Sequence, residues 1–154
     1  MILSYASREV ITARADDSVR DVVGLMEYYN VGCVVVVFHE RPVGIVTDRD
    51  LALRALGTWK DGPPSEARIS EFMTRPIQTI REDEGFDKAL EVMRTWGVRR
   101  LPVVDRQGRL RGLVTLDDIF HELCRDMDAV SQIVRRQHRL PLRRRAAEGT
   151  SPRS

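Results

Sequence analysis

Two short stretches, Gly44-Ile45-Val46-Thr47-Asp48-Arg49-Asp50 and Gly112-Leu113-Val114-Thr115-Leu116-Asp117-Asp118, carry the residues best suited to chemistry. In each, an apolar run ends at a threonine and an aspartate follows three residues later. At a helix start this spacing can close on itself as a capping box, in which the hydroxyl accepts from a backbone N–H and the carboxylate accepts the cap residue's N–H. The same junction has a second use. Unpaired N–H groups and the positive end of the helix dipole attract phosphate, and a carboxylate beside them can accept hydrogen bonds from the vicinal hydroxyls of a ribose. The two uses are compatible, and the residues alone leave both open.

Other chemistry has less to stand on. His39 falls in a polar turn, His121 in a helical stretch and His138 in a basic tail, none beside a recognisable serine or cysteine nucleophile motif. Catalysis is therefore not expected. The acids at Asp16-Asp17, Glu82-Asp83-Glu84 and Asp117-Asp118 lack EF-hand spacing and read as helix N-terminal charges, so no metal is expected. Cys33 and Cys124 form no metal-like or redox-like pair and read as free thiols. The longest apolar run, Val31 to Phe38, is far short of the roughly 20 residues that span a bilayer. No basic region followed by an apolar stretch opens the chain, so neither membrane nor secretory signal is expected and a cytoplasmic location is.

An internal duplication positions both turns. A shift of 67 residues places Ile2 on Ile69, Arg8 on Arg75, Thr12 on Thr79, Asp16 on Asp83, Met26 on Met93 and Val31 on Val98. Beyond a turn one residue longer in the second copy the shift becomes 68, and Gly44, Thr47 and Asp50 fall on Gly112, Thr115 and Asp118. Each copy reads as a short extended segment (Val10 to Ala13; Ile77 to Arg81), a helix, a buried strand, a polar turn, a third strand and a second helix. Ser18, with Asp21 three residues on, caps the first helix, and Val22, Leu25, Met26 and Tyr29 recur at helical spacing. The β-branched runs Cys33 to Phe38 and Leu101 to Val104 fit buried strands. The expected fold is α/β (α+β): two pseudo-twofold-related units, each a three-stranded sheet with two helices, at residues 2–56 and 69–123. A linker (57–68), a C-terminal helical extension (124–138) and a basic tail (139–154) complete the chain. One unit alone is too small to bury a sufficient core, so the two are expected to pack on each other.

On the stretches "SVRDVVGLM…NVGCVVVV…PVGIVTDRDLALRAL" and "GFDKALEVM…GVRRLPVVDRQGRLRGLVTLDDIF" the chain resembles a tandem CBS-domain pair, or Bateman module, of the short stand-alone bacterial kind. The second stretch matches the family pattern closely. The first departs from "LPVVD", reading Val34-Val35-Val36-Val37-Phe38. The resemblance implies a non-catalytic regulatory module that binds an adenosyl nucleotide (AMP, ADP, ATP or S-adenosylmethionine) in clefts between the copies and transmits its presence to an unidentified partner. It places the ribose-binding acid on Asp50 and Asp118, its hydroxyl neighbour on Thr47 and Thr115, and the adenine-facing segments on Val10 to Thr12 and Ile77 to Thr79. Phosphate-binding residues fall on Arg99 and Arg100, whose first-copy counterparts are Gly32 and Cys33, so the two clefts are not equivalent. Arg49 gives the first turn a local cation, whereas Asp117 adds negative charge to the second.

Charge and apolar patterning point to one further possibility. Seven of the 25 basic and one of the 23 acidic residues lie from Arg135 onward, so the tail is net +6 and everything before it net −4. Any nucleic-acid affinity would belong to that tail, whose default reading is solvated chain. Phe120, Leu123, Met127, Val130 and Val134 follow a heptad-like stripe. It packs on the chain's own body or docks on a second subunit, and a homodimer is expected. Tyr28, Tyr29 and Trp96 sit at helical spacing from Met26 and Met93 and are expected to pack or to form a helical face between subunits rather than to stack on bases. A ligand-independent dimerisation scaffold built on the stripe and tail is the alternative to nucleotide sensing.

Overall fold

The computed structural model describes residues 1–58 and 67–138. The chain divides into a unit at residues 1–120, which holds the duplicated fold, and a second at residues 121–154. The first copy runs β1 (Thr12–Ala13), α1 (Val19–Tyr29), β2 (Cys33–Phe38), β3 (Arg41–Thr47) and α2 (Asp48–Thr58). The second runs β4 (Ile80–Arg81), α3 (Phe86–Trp96), β5 (Arg100–Val104), β6 (Leu110–Thr115) and α4 (Leu116–His138). Each copy is led by a 3-10 turn, at Ile2–Ser4 and Ile69–Glu71. Eight residues of the expected linker, 59–66, and the basic tail, 139–154, lie outside the described residues. The second copy's last helix and the expected C-terminal extension form one continuous helix, α4.

Local sequence accounts for these elements. Ser18 caps α1, its hydroxyl accepting the Asp21 N–H at 3.0 Å and donating to the Asp21 carboxylate at 2.7 Å. Asn30 ends α1 and Gly97 ends α3, both in the left-handed conformation that terminates helices. In each sheet the edge strand pairs parallel with the middle strand, which pairs antiparallel with the third. The bulge falls at the same place in both copies, between Val36 and Val37 and between Val103 and Val104. The hairpin turns differ. In the first copy His39 and Glu40 turn the chain at positive φ, whereas Asp105 organises the longer second turn. Burial raises the Asp105 carboxyl, but hydrogen bonds from the Arg109 N–H and guanidinium and from the Gln107 N–H outweigh it and hold the group below the ordinary carboxylate range.

The two copies exchange their leading segments. Ile69, Phe72 and Met73 complete the core of the first sheet with Val22, Met26, Val34 and Val46. Ile2, joined by Leu3, Tyr5 and Ala6, completes the core of the second with Leu101, Val103 and Val114. Backbone hydrogen bonds follow the same exchange: the Ile2 N–H donates to Glu84 at 2.6 Å and the Ile69 N–H to Asp17 at 2.9 Å. Thr74 pairs reciprocally with Ile45 on β3, and Ser7 with Leu113 on β6. Gly44 and Gly112 permit this contact. A Cβ on Gly44 would meet the Met73 Sδ at 2.5 Å, and one on Gly112 would meet the Ser7 carbonyl oxygen at 2.9 Å.

Of the two expectations for the aromatic residues on α1 and α3, packing on the chain's own body is not met. Tyr28, Tyr29 and Trp96 are exposed rather than packed, because the buried side of α1 is formed by Val19, Val22 and Met26 and that of α3 by Ala89 and Met93. On α4 the apolar stripe is exposed from Phe120 through Met127 and Val130 to Val134, with Ile133 beside it. No helix among the described residues is long and apolar enough to cross a membrane.

Candidate functional site

Both Thr-x-x-Asp turns close as capping boxes. The Asp50 N–H donates to the Thr47 hydroxyl at 3.0 Å, and Asp50 Oδ2 accepts from the Thr47 N–H at 3.2 Å and from its hydroxyl at 2.8 Å. In the second copy the three corresponding distances are 3.1, 2.8 and 2.7 Å. The threonine hydroxyl is thus committed to the cap, which leaves Oδ1 of each aspartate for other partners. Asp50 Oδ1 lies 4.0 Å from the Arg54 guanidinium, which also donates to the Phe72 carbonyl at 3.0 Å. Arg54 therefore ties α2 to the exchanged segment and sets a cation beside Asp50.

A cavity of about 140 Å³ opens beside this turn, lined by Ile45, Thr47, Asp50, Thr74, Val98, Arg99 and Arg100. It joins the first copy's turn to the start of the second copy's middle strand. Thr47, Asp50, Arg99 and Arg100, four of the residues singled out in the sequence, meet there across the copies. Thr74 arrives through the exchanged segment, paired with Ile45. Ile45, Thr74 and Val98 were not picked out as site residues. The duplication held a signal for Val98, which falls on Val31, and Ile45 lies inside the recurring turn.

The other expected site residues lie elsewhere. Val10 is half-buried ahead of β1, and Thr12 is exposed on β1, in register with Val35. Ile77 is half-buried and Thr79 exposed ahead of β4. Arg49 is exposed on the first turn of α2. None of these lines the cavity, nor do Thr115 and Asp118.

The positions equivalent to Arg99 and Arg100 differ between the copies. The Leu116 N–H donates to the Arg99 carbonyl at 2.9 Å and the Asp48 N–H to the Gly32 carbonyl at 3.2 Å, so the two turns sit against equivalent strand entries. The residues there are arginines in one copy and Gly32 and Cys33 in the other. Burial pushes the Cys33 thiol above its ordinary range, Arg100 opposes that and Asp48 adds to it.

The description "CBS domain" belongs to a family model that matches residues 2–57 and 69–125. The chain is a tandem CBS-domain protein. It is 35% identical over 116 residues to a protein of Methanopyrus kandleri named MK0525, covering 75% of this chain and 58% of that one. It is 32% identical to the CBS domain-containing protein YhcV of Bacillus subtilis, over 72% of this chain and 76% of the relative. The chain spans only 21% of the inosine-5'-monophosphate dehydrogenase of Methanocaldococcus jannaschii that it also matches. Among solved structures, the CBS pair of protein MJ0100 in complex with 5'-methylthioadenosine and S-adenosyl-L-methionine superposes with a TM-score of 0.71 at 29% identity. That match covers 82% of this chain and 97% of the other. Two three-stranded sheets with flanking helices are the architecture shared with that CBS pair.

Proposed function

We propose that this CBS pair is a non-catalytic regulatory module that binds an adenosyl nucleotide between its copies and signals its presence to a partner protein. The observation that carries this reading is the cavity that brings Thr47 and Asp50 of one copy against Arg99 and Arg100 of the other. Asp50 Oδ1 suits a ribose diol, the two guanidiniums suit phosphate, and Ile45 and Val98 supply apolar wall. The adenosyl ligands of the MJ0100 pair support the same ligand class. Only a ligand that binds two arrangements of the module with different affinity can signal.

A thermal-shift series over adenosine, AMP, ADP, ATP, S-adenosylmethionine and a guanosine control tests this. A ligand at about 100 times its dissociation constant adds about 2.7 kcal/mol, which should raise the Tm by several degrees. No shift with any adenosyl compound would remove the sensing role.

The alternative, a ligand-independent scaffold, is favoured by one observation: Met127, Val130 and Ile133 on α4 are each at least 60% exposed. An apolar stripe of this kind is suited to a second copy of the chain. Met127→Glu should then convert a homodimer to a monomer in sedimentation, whereas on the sensing reading it should leave nucleotide affinity unchanged. Removal of residues 135–154 should likewise spare nucleotide affinity if sensing is the function. An unaltered sedimentation profile for Met127→Glu would exclude the stripe as the dimer contact.

A further inference from the structure

We propose that Asp117 is a specificity-determining residue, which competes with a ligand's phosphate for the Arg99 guanidinium. The inference rests on the adenosyl-binding reading above and deepens it. Arg99 and Arg100 both line the cavity but are held differently. Arg99 reaches the Asp117 carboxylate, with Nη2 to Oδ1 at 3.3 Å. Arg100 is half-buried and makes no ion pair with a described residue, so its charge is not already engaged when an anion enters the cavity.

The duplication supplies an internal comparison. The equivalent of Arg99 is Gly32 and that of Asp117 is Arg49, although the same backbone hydrogen bond brings the two positions together in both copies. The first copy therefore has no such pair to make. The clamp is a property of these side chains and not of the fold.

The geometry makes Asp117 a tuner rather than a lock. Arg99 and Asp117 are 67% and 76% exposed, and ion pairs that open to water contribute little and exchange readily. Asp50 is the carboxylate lining the cavity, with the Arg54 guanidinium beside it. A single phosphate group is served by Arg100. Recruiting Arg99 as well sets the ligand's charge against the Asp117 carboxylate, which holds one edge of the guanidinium, so longer phosphate chains draw on Arg99 in competition with that contact.

Titration calorimetry of the full chain with adenosine, AMP and ADP tests this in a double-mutant cycle. Asp117→Asn should tighten ADP binding by about two- to fivefold, the range open to an exposed ion pair, and leave adenosine unchanged. In an Arg99→Ala background the same substitution should give no gain. An equal gain in that background would mean that Asp117 acts by repulsion alone, and no gain in either background would mean that it does nothing; both overturn the proposal. Binding of adenosine without preference for ADP would overturn it while leaving the adenosyl reading intact. Failure of all three ligands to bind the wild-type chain would overturn both.

Discussion

Replacement of Asp50 by alanine is expected to weaken adenosyl binding in the cavity about 10- to 150-fold, the loss that follows from deleting a charged hydrogen-bond partner worth about 1.5–3 kcal/mol. The structure adds a complication that the substitution must be designed around. Asp50 Oδ2 also holds the N–H and hydroxyl of Thr47, so alanine removes the reciprocal half of the capping box as well as a ligand contact, while the Thr47 hydroxyl still accepts the N–H of residue 50. Loss of such hydrogen bonds costs about 1 kcal/mol of stability. Asp50→Asn separates the two, since an amide oxygen can still accept the Thr47 N–H but carries no charge and accepts the ribose diol poorly. The expected pattern is a large loss of affinity in both variants, with a clear drop in Tm only for alanine. If calorimetry returned wild-type affinity in both, Asp50 would be a cap and nothing more.

The second large effect concerns stability. Gly112→Ala should destabilise the chain by about 1–3 kcal/mol, the range for overpacking a tight contact. Its new Cβ would lie 2.9 Å from the Ser7 carbonyl oxygen and 3.2 Å from the Ala6 Cβ. That oxygen accepts the Leu113 N–H in the reciprocal pair that fixes the exchanged segment, so it cannot retreat without breaking the pair. Gly44→Ala should cost less. There the close atoms, the Met73 Sδ at 2.5 Å, Cγ at 3.0 Å and Cβ at 3.2 Å, all belong to one unbranched side chain that can re-orient, and none is backbone. Urea unfolding of the two variants side by side checks the order, and an equal or reversed cost would show that the Ser7 contact is softer than the backbone pairing implies.

Much of this architecture is written locally. Ser18 with Asp21, the β-branched run from Cys33 to Phe38 and the two Thr-x-x-Asp turns each depend on neighbours within a few residues, so spacing alone located them. The site was legible in part for the same reason. Thr47 and Asp50 lie on one turn, and Arg99 and Arg100 stand at the start of one strand. That these two groups share a cavity depends on how the copies pack: the resemblance implied clefts between the copies but set Arg99 and Arg100 against the second turn, whereas the cavity brings them to Thr47 and Asp50 of the first. The contribution of Thr74 was invisible because it arrives on a segment that leaves its own copy. An apolar residue such as Ile2 or Ile69 announces that it will be buried, not beneath which sheet. The Arg99 contact with Asp117 spans eighteen positions and depends on a backbone hydrogen bond between a strand entry and a helix start. The exposed Trp96 shows the opposite limit: helical spacing from Met93 put it near the apolar stripe, but the stripe is narrower than the spacing allowed.

The reciprocal loan of leading residues has a mechanical meaning. Drawing the halves apart would empty both interiors at once, leaving Val34 and Val46 without Ile69 and Leu101 and Val114 without Ile2. If the proposed ligand binds between them, it finds no hinge that opens freely, and a small rotation would disturb these cores less than a separation. On that reading a responding protein would sense a change of angle rather than a parting of the copies.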